Sequence, residues 1–136
     1  MTSATDFLRQ FDDHYTLGVD FMDSTHREFL QLVEQACTAD RQSFAVAFDA
    51  LFRHTRQHFH DEETAMAEIN HAAKGEHIAE HQRILGDMER FNARVTAGRH
   101  SMAKAWVKDS ILQWFHTHAQ TMDSALAADL IAKRTV

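Results

Sequence analysis

At 136 residues the chain is sized for one domain, read as 1–136 with an N-terminal arm over 1–19 and a helical bundle over 20–132. A net charge of −6 without a basic run excludes a nucleic-acid binder, and no apolar run approaches the roughly 20 residues of a membrane span. The lone Cys37 leaves no intramolecular disulfide, and Met1 to Asp6 show no basic or apolar leader, so the expected place is the reducing cytoplasm.

Two further counts direct the reading. There is no proline, which removes the main helix breaker, and there are 11 histidines, which is the reason to look for a metal.

The arm is expected to be irregular, with a short turn of helix where Phe7, Leu8 and Phe11 recur at helical spacing. Leu17, Gly18 and Val19 should pack over one end of the bundle. The first long helix is expected to start near Asp20 or Asp23, with either as its N-cap. Its apolar stripe is His26, Phe29, Leu30, Val33, Ala36 and Cys37, at spacings of three, four and seven. After Thr38 to Arg41, a second helix is predicted over 42–69, with the stripe Phe44, Phe48, Leu51, Thr55, His58, Glu62, Met66 and Ile69. An imidazole and a carboxylate on that apolar face are costly to bury unless something coordinates them.

Asn70 reads as the residue just past the helix end. The third helix is predicted over 76–95, with His77, His81, Ile84, Met88, Phe91 and Val95 on its stripe and Gly98 as its stop. The fourth should start at Ser101 as N-cap and carry Met102, Trp106, Val107, Ser110, Ile111, Trp114 and His118. Asp123 follows, and a short helix through Ala132 ends the chain. Four amphipathic helices with short connections predict an all-α, antiparallel up-down-up-down four-helix bundle.

The ionisable residues on apolar stripes are His26, His58, Glu62, His77, His81 and His118, joined by Asp123. All four helices contribute. Five imidazoles and two carboxylates exceed the needs of one tetrahedral zinc and suit two ions bridged by the carboxylates. This donor set favours iron, manganese or zinc over magnesium or calcium. Residues 118 and 123 stand about 140° apart on a straight α-helix, so both can face one site only through a π-type widening, expected near Ala119 to Met122.

The pattern His26, His58-x-x-x-Glu62, His77-x-x-x-His81 and His118-x-x-x-x-Asp123 resembles the hemerythrins, in particular the bacterial single-domain ones. Leu17-Gly18-Val19 with Asp23, His58-Phe59 with Glu62-Glu63 and Met66, and Trp114 before His118 extend the resemblance over roughly residues 15–125. It implies two iron ions with an oxo or hydroxo bridge. His77, His81 and His118 would hold one iron, and His26 and His58 the other, which keeps one position open for dioxygen. Glu62 and Asp123 would bridge the pair.

The function so implied is reversible dioxygen binding without turnover, for storage, delivery or sensing, by a monomer. Dioxygen is the partner, with a reductase or an oxygen-consuming enzyme beside it. The alternative is a di-iron enzyme reducing peroxide or nitric oxide, or an oxygen- or redox-sensing module. A ferritin-like enzyme would need Glu-x-x-His from two helices, and only Glu68 to His71 fits. The chain departs from the family at Ala119 and Phe115, where bulky aliphatic residues are common, so a roomier pocket and faster oxidation are expected.

Other residues receive plainer readings. His14, His54, His60, His71, His100 and His116 are expected at the surface or as hydrogen-bond donors behind the ligands, with His54 the exception, one turn before His58. Asp61, Glu63, Glu76 and Glu80 are expected on a solvated rim, and Cys37 as a small core residue.

Overall fold

The computed structural model describes residues 3–134. The elements are α1 (Ala4–Arg9), α2 (Phe11–His14), α3 (Asp20–Thr38), α4 (Phe44–Glu68), α5 (Lys74–Thr96), α6 (Ser101–Asp109), α7 (Ile111–His118), a π-helical segment (Ala119–Asp123) and α8 (Ser124–Arg134). Helix α3 packs on α4 and α6, and α5 packs on the same two, which closes a four-helix bundle. The expected fold class is the observed one.

The arm departs from expectation, being largely helical. Ser3 and Asp6 form a reciprocal capping box at the start of α1. Phe7, Phe11 and Tyr15 fall on one helical face and are buried. Phe7 stacks on Tyr15 with ring centroids 5.2 Å apart, and Tyr15 lies 5.7 Å from Phe115. Helices of six and four residues are too short to persist alone, so burial of these rings is what holds them.

Local caps also differ in detail. Val19, not an aspartate, is the N-cap of α3. Asp23 instead reaches back and accepts the backbone N–H groups of Leu17 (2.8 Å) and Gly18 (3.1 Å). His100, not Ser101, precedes α6. The fourth leg divides at Ser110, and its inward face is Ala103, Val107, Ile111, Leu112, Phe115 and His118. Of the predicted stripe, Val107, Ile111 and His118 are buried, whereas Met102 is 57% exposed and Ser110 is exposed too.

Both predicted helix stops hold. Asn70 (φ 50°) and Gly98 (φ 86°) adopt the left-handed conformation. At the second, Arg99 N–H donates to Arg94 C=O and Gly98 N–H to Val95 C=O, the six-to-one and five-to-two bonds of a Schellman end. A Cβ at Gly98 would touch nothing, so Gly98→Ala tests backbone strain alone. It is expected to destabilise the chain by about 1–2 kcal/mol, read as a lower urea midpoint with unchanged slope.

Two apolar clusters fill the bundle. The larger includes Phe29, Leu51, Phe59, Ile84, Met88, Val107 and Phe115, and extends under the arm. The smaller comprises Met22, Ala65, Met66, Leu126, Ala127 and Leu130, with Leu17, Val19 and Ile69 packed against it. Met22, Met66 and Leu126 each lie about one turn from His26, Glu62 and Asp123, on the side away from the larger cluster. The polar residues therefore form a layer between two dry ones.

Candidate metal centre

The structure brings all seven predicted residues together. His26, Glu62, His77, His81 and Asp123 are at most 1% exposed, and His58 and His118 are buried. His58 and Glu62 share a face of α4 because a step of four residues only slightly exceeds one turn, as do His77 and His81 on α5. His118 and Asp123 share a face because the chain between them is π-helical, as the five-residue spacing required. Ser124 N–H donates to Ala119 C=O, an i to i−5 bond that marks the widened turn.

Each carboxylate divides its two oxygens. Glu62 Oε2 lies 2.7 Å from His58 Nε2 and 3.2 Å from His26 Nε2, while Oε1 lies 3.3 Å from His81 Nε2 and 3.4 Å from His77 Nε2. Asp123 Oδ2 faces His26 Nε2 at 3.1 Å, and Oδ1 faces His77 and His118 Nε2 at 3.0 and 3.2 Å. Three imidazoles thus gather on one side and two on the other.

The donor set fits metal. Burying five imidazoles and two carboxylates without partners is unfavourable. Yet Nε2 of His77, His81 and His118, Glu62 Oε1 and Asp123 Oδ1 make no aligned hydrogen bond among the described residues. Two ligands of one ion, each about 2.1 Å away and at right angles, lie about 3 Å apart and do not point at each other. The short but misaligned N···O approaches have that character. Two groups of such atoms converge: Glu62, His77, His81, His118 and Asp123 in one, and His26, His58 and Glu62 in the other.

Electrostatics agree. Burial alone would raise both carboxyls, but His58, His26 and His77 hold Glu62 well below its ordinary value. Burial and the Glu62 charge also push Asp123 upward, and His26 and His118 outweigh them. Burial would depress His26, yet Asp123 and Glu62 lift it to about 10. The same balance, led against burial by Asp123, lifts His77 to about 9. Two anions and several imidazoles without a metal therefore share protons, and a metal would displace them.

The surroundings orient the imidazoles. Phe59 stacks on His81 at 3.8 Å between centroids, and Trp114 on His118 at 4.5 Å. Trp114 Nε1–H donates to Glu80 at 2.8 Å. His81 Nδ1 lies 2.9 Å from Glu63 Oε2; a carboxylate only accepts, so Nδ1 carries the proton and Nε2 keeps its lone pair inward. Glu63 and Glu80, expected on the rim, are part-exposed there and also accept from His81 and Trp114. The signal for Glu63 was available, because a ligating histidine needs a partner on its other nitrogen.

His54 sits beside His58, with ring centroids 6.0 Å apart, and its Nε2 faces Glu28 Oε2 at 3.3 Å. His71, read as a surface or supporting donor, is buried away from the site, 2.7 Å from Asp129. The departure at Phe115 and Ala119 takes a definite form. Both are 1% exposed, and Phe115 stacks on Phe29 at 5.3 Å and stands edge-on to His26 at 5.4 Å. Phe115 thus occupies the space beside the two-imidazole side.

Residues 17–130 match the hemerythrin HHE cation binding domain. The chain belongs to the hemerythrin family. It is 26% identical over 114 residues to the bacteriohemerythrin of Ralstonia nicotianae, covering 84% of this chain and 82% of that protein. It is 27% identical over 101 residues to the myohemerythrin of Riftia pachyptila, covering 74% and 82%. The bacteriohemerythrin of Methylococcus capsulatus is 26% identical over 110 residues, covering 78% and 83%. A wild-type hemerythrin crystal structure superposes with a TM-score of 0.74 at 23% identity, over 86% of this chain and 92% of that one. Within this family frame, the buried histidine, glutamate and aspartate cluster is able to bind metal. Among the described residues, no helix is long and apolar enough to cross a membrane.

Glu63→Ala is expected to weaken metal binding about 10- to 100-fold while leaving the helices intact. Competition with a coloured chelator reads the affinity, and an unchanged affinity would show that Glu63 plays no supporting part.

Proposed function

We propose that this chain holds two iron ions and binds dioxygen reversibly at one of them, without turnover. The observation that carries the reading is the unequal division of imidazoles across the two split carboxylates. His77, His81 and His118 would hold one iron with Glu62 Oε1 and Asp123 Oδ1. His26 and His58 would hold the other with Glu62 Oε2 and Asp123 Oδ2. Iron bound by these residues would supply the electrons for dioxygen binding and a position free of protein ligands.

The chain's residues do the rest. The carboxylates offset the metal charge in a buried place, which water cannot do there. Phe59 and Trp114 fix the planes of His81 and His118. Phe29 and Phe115 place apolar rings beside His58 and His26, while the His54 imidazole stands 6.0 Å from His58 and is turned toward Glu28. This reading takes 1–136 as one hemerythrin-like domain, a monomer in the cytoplasm, served by a reductase or an oxygen-consuming enzyme.

The test is metal analysis together with the visible spectrum of the reduced, iron-loaded protein before air, in air and then under vacuum. Two irons per chain, with a charge-transfer band that appears in air and fades under vacuum, is the expected result. Direct passage to a stable oxidised spectrum, or turnover of peroxide or nitric oxide with a reductant, would overturn the carrier reading.

A further inference from the structure

We propose that the end of the bundle opposite the metal centre is a binding site for a small molecule carrying two or more phosphate groups. A cavity of about 650 Å³ lies there, between the α3–α4 and α5–α6 connections. Arg41, Arg94, Arg99 and Lys104 line it, and no carboxylate does. Four other surface cavities each include at least one aspartate or glutamate.

The contrast matters because acids outnumber bases in this chain, 20 to 14. Elsewhere Arg9, Arg27, Arg53, Arg83 and Arg90 each meet a carboxylate. Among the described residues, Arg41, Arg94 and Arg99 meet none within ion-pair reach. The Arg94 guanidinium contacts the Met102 thioether at 3.1 Å instead. Lys104 lies 5.5 Å from the centre of the Phe44 ring. Asp40 is the acid nearby, and its Oδ1 accepts from Ser43 N–H at 2.9 Å and Oγ–H at 2.8 Å. Three guanidiniums are therefore left around one hollow without a carboxylate partner, and Lys104, whose charge also reaches Asp40, adds a fourth cation.

A second contribution comes from the backbone. Helix α6 opens at this cavity, and no side chain caps its first turn. Its first N–H groups lack intrahelical acceptors and add partial positive charge in the same place. Guanidinium forks suit phosphate oxygens, two bonds at a time. Three such forks, a lysine and a helix start exceed what one phosphate can use. A concave volume of this size lies in the range of about 300–1,000 Å³ typical of small-molecule sites, which favours a compact multivalent anion over a flat acidic protein surface. Arg94 lies thirteen positions after His81 on α5, about 20 Å along the helix, so nothing here depends on the metal centre.

The experiment uses the full iron-loaded chain at low ionic strength and fructose 1,6-bisphosphate as a weakly chelating probe. Calorimetry measures affinity, and backbone amide shifts locate it. The expected result is saturable binding that weakens with added salt, with shifts confined to residues 97–104 and the α3–α4 connection. Arg41→Glu with Arg99→Glu should weaken binding at least about tenfold while iron content and helicity hold, and Arg53→Glu should not. Should that double variant misfold, Arg99→Gln alone serves. No saturable binding at millimolar probe, equal binding by the variant, or shifts at the metal end would overturn the proposal. So would binding to vesicles bearing phosphorylated headgroups without any response to the soluble probe.

Discussion

Glu62→Ala is expected to take the protein from two irons per chain to one or fewer. The reason is geometric: four imidazoles, of His26, His58, His77 and His81, approach this one carboxylate at 2.7–3.4 Å. Glu62 belongs to both groups of converging ligand atoms, so its loss damages both at once. Alanine also leaves buried imidazoles without their counter-charge, and breaking a buried pair from one side costs about 3–5 kcal/mol. Metal analysis and thermal melting of the iron-loaded variant read the two effects together. Glu62→Gln separates shape from charge: it keeps the side-chain volume but should still fail to hold both irons. Retention of two tightly held irons by Glu62→Ala would refute the shared-carboxylate reading.

The metal-free protein is expected to be most stable in mildly acidic solution and to weaken toward alkaline pH by several kcal/mol. His26 and His77 have folded values raised to about 10 and about 9, by the carboxylates beside them. A raised value contributes stability that is complete below the unfolded value near 6.5 and fades as pH climbs through 9 and 10. Glu62 and Asp123 act with the opposite sign. Their lowered values contribute stability above the ordinary carboxylate range, and it is lost as pH falls. Loading with iron should remove the alkaline decline and release protons at neutral pH, because the metal then takes the place of the protons on Nε2. Urea melts of both forms at about pH 6, 8 and 10 test the sign. A metal-free protein equally stable across that range would show that these imidazoles do not hold protons in the fold.

What local spacing can express was legible beforehand. The imidazole and carboxylate pairs of α4 and α5 follow from the angle between residues four apart. The π segment followed from the five-residue gap between His118 and Asp123, since only a wider turn puts both on one face. Pairings across the chain were not legible in the same way. Glu63 meets His81 from 18 residues away, His71 meets Asp129 from 58, and Tyr15 meets His116 from 101. Each of these polar side chains would read equally well as solvated, because nothing local says which neighbour arrives.

The two faces of the fourth leg make the same point. The stripe predicted for the fourth leg mixed two faces, with Met102, Trp106 and Ser110 on one and Val107, Ile111 and His118 on the other. Packing against α3 and α5 chose the second and left Trp106 against Phe91 at the edge. The arm is helical for a similar reason, because Phe7, Phe11 and Tyr15 gain their burial only once α3 and α7 are in place.

The sequence by itself determined the bundle helices, the inward stripes of α3, α4 and α5 apart from Met22, Phe52 and Phe59, and the seven side chains that meet in the polar layer, because helical periodicity is a property of neighbours along the chain. Tertiary structure alone decided how Glu62 and Asp123 divide their oxygens between three imidazoles and two, that Phe115 stands beside His26, and that three unpaired guanidiniums gather with Lys104 at the far end. Those are distances between elements, and they exist only after the helices have packed.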